Sequence, residues 1–318
     1  MTTKTSDRAA AIGALWALGA VFCFSTNDVL VKFLSGDYPL YELMFSRSLT
    51  GLTFILCVFV PLSGGLKSLR TKRLGVHIVR GLCVVFANFT FFLGLAALPL
   101  ADAVAIFFIS PMLISILSVY VLGETVGPRR WAAIGFGLLG VLIVLRPGTS
   151  AFQIASLLPL LAAFGYALLH ILTRKIGGTE NATAMTFYIQ ATFFAVSTIA
   201  GLTLGHGQFN VFDHQSAQFL LTAWVWPSPR DFMFAMALGI ISSGGGFMIS
   251  EAYRKSEAAF IAPFEYIAMP LAVFWGYTVF DELPDFIALS GIALIIASGL
   301  VLIWREALSR KTPSPKRL

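Results

Sequence analysis

The sequence predicts an all-α integral membrane protein whose ten transmembrane helices form two inverted five-helix repeats. Composition, the length of the apolar runs and an internal repeat support this prediction. Hydrophobic residues make up 57% of the 318 residues and charged residues only 12%, whereas an ordinary soluble domain contains about 25% charged residues. Apolar runs of about 20 residues, the length that crosses a hydrocarbon layer roughly 30 Å thick, follow one another along the chain.

The apolar runs divide into two sets of five. The predicted helices span residues 11–34, 39–60, 74–96, 101–122 and 129–146 in the first set, and residues 153–174, 182–204, 231–252, 258–279 and 285–304 in the second. Boundaries read from sequence in this way are uncertain by about two to four residues.

An internal repeat relates the two sets. Pro111 and Gly140 recur at one constant spacing as Pro270 and Gly299, and the helix that ends at Arg146 is echoed by the one that ends at Arg305. The expected organisation is a first repeat over residues 11–146, a second repeat over residues 153–306 and a basic cytoplasmic tail over residues 307–318.

The positions of lysine and arginine predict the orientation of the helices. With the N-terminus in the cytoplasm, 17 of the 22 Lys and Arg residues fall in cytoplasmic segments, as expected for a membrane protein. Both termini are then cytoplasmic. Because each repeat has an odd number of helices, the second repeat enters the membrane from the opposite side, which makes the repeats inverted. The net charge of +6 is dispersed among short segments, so we expect contact with the lipid bilayer and none with nucleic acid.

Two segments carry a resemblance to a known family. They are LGLAALPLADAVAIFFISPMLISILSVYVLGE (93–124) and SEAAFIAPFEYIAMPLAVFWGYTVFDE (256–282), each followed by a glycine-rich helix. With this pattern the chain resembles the drug/metabolite transporter superfamily, in its two-repeat, ten-helix EamA-like branch, over about residues 11–306. Within that branch it is most similar to bacterial exporters of amino acids and metabolites, including aromatic amino acids. The resemblance implies a secondary transporter of the bacterial inner membrane that works outward as an exporter, or as a facilitator.

Polar residues inside apolar helices are costly and by default face a cavity. The first predicted helix carries Asn27 and Asp28, with Lys32 one turn later, and the sixth carries Tyr166 and His170. Because residues four apart share a helix face, Asp28 and His170 are candidate substrate-binding residues on matching faces of the two repeats. The alternative is an ion pair between Asp28 and Lys32 within the first helix.

The third and ninth helices supply further candidates. Arg80 and Asn88 lie in the third helix, where Asn88 is close to Phe91 and other aromatic residues. These side chains suit an amphiphilic substrate, although Arg80 can also extend to the membrane surface and Asn88 can bond a neighbouring helix. Glu265, followed by Tyr266, lies in the ninth helix and is expected to carry a proton or bind a substrate ammonium group. The alternative is an ion pair of Glu265 with an arginine, either Arg47 or Arg80.

Small residues and prolines indicate points of flexibility. The eighth helix contains Ser242 and Ser243, candidate cavity residues, followed by three glycines that each weaken a helix by about 1 kcal/mol relative to alanine. The candidate hinge residues are Gly244, Gly245, Gly246, Pro111 and Pro270. A small-residue packing surface is the alternative for the glycines. Glu124 and Glu282, at the ends of the fourth and ninth helices, are expected to cap the helices that follow.

Together these observations favour a transporter and exclude most enzyme classes. The four histidines lack the paired spacing of a metal site and no nucleotide-binding loop is present, so we expect no enzyme activity, no cofactor and no metal. The predicted function is alternating-access transport of amino acids or similar small metabolites, with a proton as the candidate coupling ion. The alternatives are a nucleoside-like, sugar or cationic drug-like substrate, or, in another class, a channel or structural membrane protein.

Overall fold

The computed structural model describes residues 2–124, 127–149 and 153–309, and within these ranges the secondary structure is entirely helical. The α-helices are α1 (Thr2–Leu34), α2 (Leu40–Phe54), α3 (Val60–Leu62), α4 (Leu74–Ala97), α5 (Leu100–Phe107), α6 (Ser110–Leu122), α7 (Pro128–Leu145), α8 (Leu157–Ile176), α9 (Ala182–Leu204), α10 (Gln215–Leu221), α11 (Pro229–Lys255), α12 (Ala258–Ile261), α13 (Ala268–Phe280) and α14 (Phe286–Ser309). Helix α14 extends into the predicted tail, whose residues 310–318 lie outside the described ranges.

The helices have the dimensions of a membrane protein. Seven helical segments in the described ranges are long and apolar enough to cross a membrane, and three further apolar helices are shorter. The shorter ones are Trp131–Leu145, Phe264–Phe280 and Phe286–Val301. The prediction of an all-α membrane protein is therefore confirmed.

Prolines coincide with interruptions of these segments. The segment from Leu100 to Leu122 is broken into α5 and α6 just before Pro111. In the second half, a 3₁₀ turn over Ala262–Ile267 gives way to α13 shortly before Pro270. Proline has no N–H and clashes with the preceding helical turn, so a break at these points removes the conflict. A π-helical turn, Ile55–Phe59, precedes Pro61 and was not predicted from the sequence.

Glycines allow close helix crossings. The main pairs are α1 with α11, α4 with α8, α2 with α9 and α7 with α14. Where α7 crosses α14, a methyl group on Gly140 would lie 2.8 Å from the Gly291 carbonyl oxygen, and one on Gly291 would lie 2.7 Å from the Gly140 carbonyl oxygen. Small residues let backbones approach in this way in membranes, where packing drives association.

The three consecutive glycines of α11 differ in their surroundings. Helix α11 runs through them without interruption. A methyl group on Gly244 would meet nothing within 4 Å, whereas one on Gly245 would lie 2.9 Å from a Phe24 ring atom and 3.0 Å from Cys23 Cβ. A methyl group on Gly246 would lie 3.3 Å from Thr186. Gly245 is therefore a packing residue, and Gly244 is free of that constraint.

We predict opposite effects of alanine at the first two glycines. Gly245→Ala should destabilise the protein by about 1–3 kcal/mol because α1 must shift to admit the methyl group. Gly244→Ala should stabilise it by up to about 1 kcal/mol through helix propensity. Thermal unfolding of the two detergent-purified variants measures both effects. Equal melting temperatures would contradict the packing role of Gly245.

A polar contact ties the end of α7 to the start of α14. The Asp285 carboxylate accepts hydrogen bonds from the Arg146 guanidinium and from the Ala288 backbone N–H, the latter at 2.8 Å. The Arg146 bond, followed by the backbone bond, lowers the pKa of Asp285 below its ordinary value. A carboxyl whose pKa is lower in the folded state stabilises the fold above its unfolded pKa, and this contribution is lost as the pH falls through the folded pKa.

Asp285→Asn should therefore lower the melting temperature at pH 7, because the amide keeps the helix cap but loses the charge. The difference from the unsubstituted protein should shrink as the pH falls below about 4, the ordinary pKa of aspartate. Melting temperatures measured from pH 7 towards pH 3.5 test this. Asp281→Asn, an exposed neighbour at the end of α13, is the matched control, and an equal pH effect in both variants would refute the prediction.

Candidate functional site

A cavity lies between α1, α2, α4, α8, α9 and α11, and the interrupted segments of both halves complete its wall. It holds about 1170 Å³ of atom-free space, its mouth included. Nine of the predicted site residues line it: Asn27, Asp28, Arg80, Asn88, Phe91, Tyr166, His170, Ser242 and Glu265. An apolar wall with a few polar groups is the usual character of a small-molecule site.

The other predicted residues lie elsewhere. Ser243 is buried behind the cavity, where its hydroxyl accepts a hydrogen bond from Gln190 at 3.0 Å. Tyr266 is buried against Phe108, with ring centroids 5.4 Å apart. Of the candidate hinge residues only Gly246 lines the cavity, whereas Gly244, Gly245, Pro111 and Pro270 do not.

A cationic group on α2 anchors one side of the cavity. Arg47 Nη1 donates to Asn27 Oδ1 at 3.5 Å and to Asn88 Oδ1 at 3.2 Å, and Nη2 donates to the same Asn88 oxygen at 3.3 Å. The guanidinium also lies over the Phe193 ring, 4.5 Å from its centroid, in cation–π geometry. Three helices thus hold this side chain in one orientation.

Asp28 lies beside this cation on α1. Its carboxylate accepts a hydrogen bond from Asn27 Nδ2 at 3.4 Å. The alternative ion pair with Lys32 is not formed, because Lys32 Nζ instead lies 3.0 Å from Glu282 and 2.8 Å from the Leu98 carbonyl oxygen. Asp28 is half-buried and lines the cavity.

Glu265 forms a second polar group. The Tyr253 hydroxyl donates to its carboxyl at 2.5 Å, and Tyr166 also hydrogen-bonds it. The His170 ring lies between the two tyrosines, with centroid distances of 4.2 Å to Tyr166 and 4.0 Å to Tyr253. Neither ring nitrogen of His170 has a hydrogen-bond partner among the described residues. Glu265 is therefore held by hydroxyl groups, and the alternative ion pair with an arginine is not formed.

Arg80 connects the cavity to one end of the helices. Its Nε donates to Thr173 at 3.0 Å and its Nη1 lies 3.4 Å from His77 Nδ1. His77 Nε2 in turn lies 3.2 Å from Glu180, whose other carboxylate oxygen accepts a hydrogen bond from Thr71. Arg80 is fully buried and does not extend to a surface.

Matching ion pairs link helices at the two opposite ends of the helices that form the cavity. At one end, Glu282 pairs with Lys32 at 3.0 Å and accepts from the Leu100 backbone N–H at 3.1 Å. At the other end, Glu124 pairs with Arg174 at 3.7 Å and accepts from the Ala258 backbone N–H at 3.3 Å. Each glutamate thus caps the helix that starts an interrupted segment in the opposite half of the chain. The sequence-adjacent helix that Glu282 was expected to cap, α14, is capped by Asp285 instead.

Several polar contributors were not selected from the sequence as site residues, among them Arg47, which was considered only as an ion-pair partner of Glu265. Tyr253 was placed beyond the predicted eighth helix, which ended at residue 252, but α11 continues to Lys255. Gln190 donates to Ser242 at 3.2 Å and lines the cavity. Thr173 lies in the last turn of its predicted helix and was therefore not considered as a residue of the cavity. A polar residue in mid-helix is the signal that could have identified Gln190.

The described residues contain no group of three or more His, Cys, Asp or Glu side chains that could hold a metal ion. The polar groups of the cavity are instead two arginines, two carboxyls, amides and hydroxyls, spread among aromatic rings. A largely apolar wall with a few polar groups is typical of a site for a small organic molecule.

Comparisons with known proteins agree with this arrangement. Residues 11–146 match the EamA-like transporter family. The S-adenosylmethionine uptake transporter of Rickettsia bellii is 30% identical over 94% of this chain and 97% of its own. The riboflavin transporter of Rhizobium johnstonii is 26% identical over 96% of this chain and 95% of its own. The pseudopaline exporter CntI of Pseudomonas aeruginosa is 25% identical over 91% of this chain and 95% of its own.

A solved crystal structure supports the fold independently. It superposes with a TM-score of 0.72 over 95% of this chain and 100% of its own, at 19% identity. The chain therefore belongs to the EamA-like transporter family of the drug/metabolite transporter superfamily, and it is a membrane transporter of small metabolites and not an enzyme.

Proposed function

We propose that this protein is a secondary transporter of amino acids or amino-acid-derived metabolites across the bacterial inner membrane. The observation that carries the proposal is the cavity, in which a buried cation, Arg47, and two carboxyls, Asp28 and Glu265, share one space. A zwitterionic molecule is complementary to both signs of charge, whereas a neutral sugar would leave them unmatched and desolvated.

The aromatic wall favours a substrate that also carries a ring. Phe91, Phe107, Tyr166 and His170 line the same cavity as the charged groups. S-adenosylmethionine contains an amino acid and a nucleoside, and it would contact both the charged and the aromatic parts of the site. Several of the relatives are named as S-adenosylmethionine uptake transporters. We therefore propose S-adenosylmethionine as the first compound to test, with aromatic amino acids next.

We further propose that ten helices form two inverted repeats and that transport proceeds by alternating access. Support comes from the matching ion pairs, in which Lys32–Glu282 and Arg174–Glu124 occupy corresponding positions at opposite ends. Further support comes from packing, since α1 with α11 and α4 with α8 are corresponding pairs under such symmetry. Inverted repeats with a site at their interface are the usual basis of alternating access.

To open one end of the cavity, the helices must bend at flexible positions, and each end must face a defined side of the membrane. In this proposal Gly244, Gly246 and the interruptions before Pro111 and Pro270 absorb the bending, while Gly245 keeps α11 against α1. The Arg174 end faces the cytoplasm because Lys and Arg are concentrated there. The carrier is reversible, so that export or uptake follows from the gradients across the membrane.

A proton is the proposed coupling ion, with Glu265 as its carrier. Among the described residues, the Glu265 carboxyl in the cavity wall is held by hydroxyl groups and by no cation, so it can alternate between charged and neutral forms without breaking an ion pair there. Intramembrane carboxyl groups commonly serve as proton carriers in transporters.

Counterflow in proteoliposomes tests the transport function. Vesicles with purified protein are preloaded with unlabelled S-adenosylmethionine, methionine, phenylalanine, tryptophan, adenosine, riboflavin or glucose, and labelled S-adenosylmethionine or phenylalanine is added outside. We expect saturable uptake that depends on the internal amino-acid compounds. Exchange of only adenosine, riboflavin or glucose would refute the substrate class, and flux that does not saturate would indicate a channel.

Glu265→Gln should uncouple transport from the proton gradient. Glutamine keeps the size of the side chain and accepts the Tyr253 hydrogen bond, but it cannot bind a proton. One coupled proton under a gradient of about one pH unit supports about tenfold accumulation, and the variant should give a ratio near one while exchange persists.

The matched control is Glu257→Gln, an exposed glutamate outside the cavity, which should accumulate substrate normally. Accumulation by Glu265→Gln equal to that of the control would remove Glu265 from the coupling step. Indifference of the unsubstituted protein to a pH gradient would mean that it is a facilitator.

A further inference from the structure

Two hydrogen-bond donors of Arg47 have no partner among the residues that the structure describes. A guanidinium has five N–H donors, and three of them are used: two from Nη1, to Asn27 and Asn88, and one from Nη2, to Asn88. The Nε donor is buried without a partner. It lies on the same edge of the planar group as the second Nη2 hydrogen, so one complete side of the guanidinium remains unused.

Arg47 also lacks a direct counter-ion. Its side chain is only 3% exposed, and no carboxylate oxygen of the described residues lies within 4.0 Å of its nitrogens. The other buried arginine of the cavity differs, because Arg80 is linked through His77 to the carboxylate of Glu180. A buried charge whose hydrogen-bond partners are all amides is stabilised by an anion that enters the cavity.

The neighbourhood of Arg47 selects the kind of anion. Asn27 accepts from Arg47 through its oxygen and donates to Asp28 through its nitrogen, so it holds a cation and a carboxylate side by side. A phosphate or other multiply charged anion next to Arg47 would be repelled by Asp28. An α-amino acid, by contrast, carries a carboxylate and an ammonium group one carbon apart, with the same alternation of charge.

We propose that Arg47, Asn27 and Asp28 form the binding site for the amino-acid head group of the substrate. The carboxylate accepts two parallel hydrogen bonds from the free edge of Arg47, which is the geometry that arginine and carboxylate prefer. The ammonium group donates to Asp28. This assignment rests on the proposed function and identifies the substrate class as compounds that have a free α-amino and α-carboxyl group.

The site is organised before the substrate arrives. Asn88, on α4, and the Phe193 ring, on α9, fix the guanidinium from two sides. Little side-chain freedom is therefore lost on binding. A compound that lacks the carboxylate would leave buried N–H groups unpaired, and sites built around such groups reject analogues that lack the partner.

Matched pairs of compounds that differ only in the carboxylate test this proposal. Phenylalanine with phenethylamine and S-adenosylmethionine with its decarboxylated analogue are compared as competitors of labelled substrate in counterflow. The unsubstituted protein should prefer the carboxylate compound at least about tenfold, which is the effect of roughly one net hydrogen bond to a charged group. Arg47→Gln should reduce the preference to about one.

Two further variants separate a binding role from a structural one. Arg47→Lys keeps the charge but cannot bind a carboxylate bidentately, so its preference for the carboxylate compounds should be intermediate. Arg230→Gln, an exposed arginine that packs on Phe33 and Phe234, should keep the full preference. Monodisperse elution and a normal melting temperature establish that each variant is folded.

The outcomes distinguish the proposed function from the head-group site. If the unsubstituted protein exchanges no amino-acid compound, the proposed function itself is wrong. If it exchanges them but amines compete as well as amino acids, or if folded Arg47→Gln keeps the preference, the head-group site is wrong. The competition result with unsubstituted protein decides the question even where Arg47→Gln fails to fold.

Discussion

A charged side chain inside a hydrocarbon layer is stable only when the protein surrounds it with polar partners, and this constraint accounts for the arrangement of the whole molecule. With few charged residues available, several of them are held by groups from other helices. Arg47 depends on amides of α1 and α4, Glu265 on hydroxyls of α8 and α11, and Glu282 on Lys32 and a helix N-terminus. Interhelical polar contacts therefore determine which helices surround the cavity.

Sequence patterns predicted the membrane class and much of the cavity wall, because both follow from local properties. Apolar length identifies a helix that crosses the membrane, and a polar residue in such a helix identifies a wall position, as for Asn27 and Asp28. The partners of these residues could not be predicted in the same way. Lys32 is one helical turn from Asp28 but pairs with Glu282. The packing of α1 near α13 determines this pairing, and the sequence does not reveal it.

The remaining differences between the sequence-based predictions and the structure concern the ends of helices. Tyr253 lies one residue beyond the predicted end of its helix, yet α11 continues and brings its hydroxyl to Glu265. Glu124 and Glu282 were assigned to the helices that follow them, because a sequence reveals only neighbours along the chain. Their backbone partners, Ala258 and Leu100, belong to the opposite half. Contacts between the halves are the part of the fold that a repeat pattern alone does not specify.

The two end contacts are alike in position but differ in their distances. Lys32 lies 3.0 Å from Glu282 and donates to the Leu98 carbonyl oxygen at 2.8 Å, whereas Arg174 lies 3.7 Å from Glu124 and donates to the Arg254 carbonyl oxygen at 3.4 Å. Under the proposed alternating-access mechanism, end contacts that differ in this way leave the two access states unequally populated at rest. A ligand's apparent affinity is reduced by the fraction of protein that can accept it. One binding site would therefore show a different half-saturating concentration on each side of the membrane, and the carrier would respond to substrate unequally from its two sides without any change in the site itself.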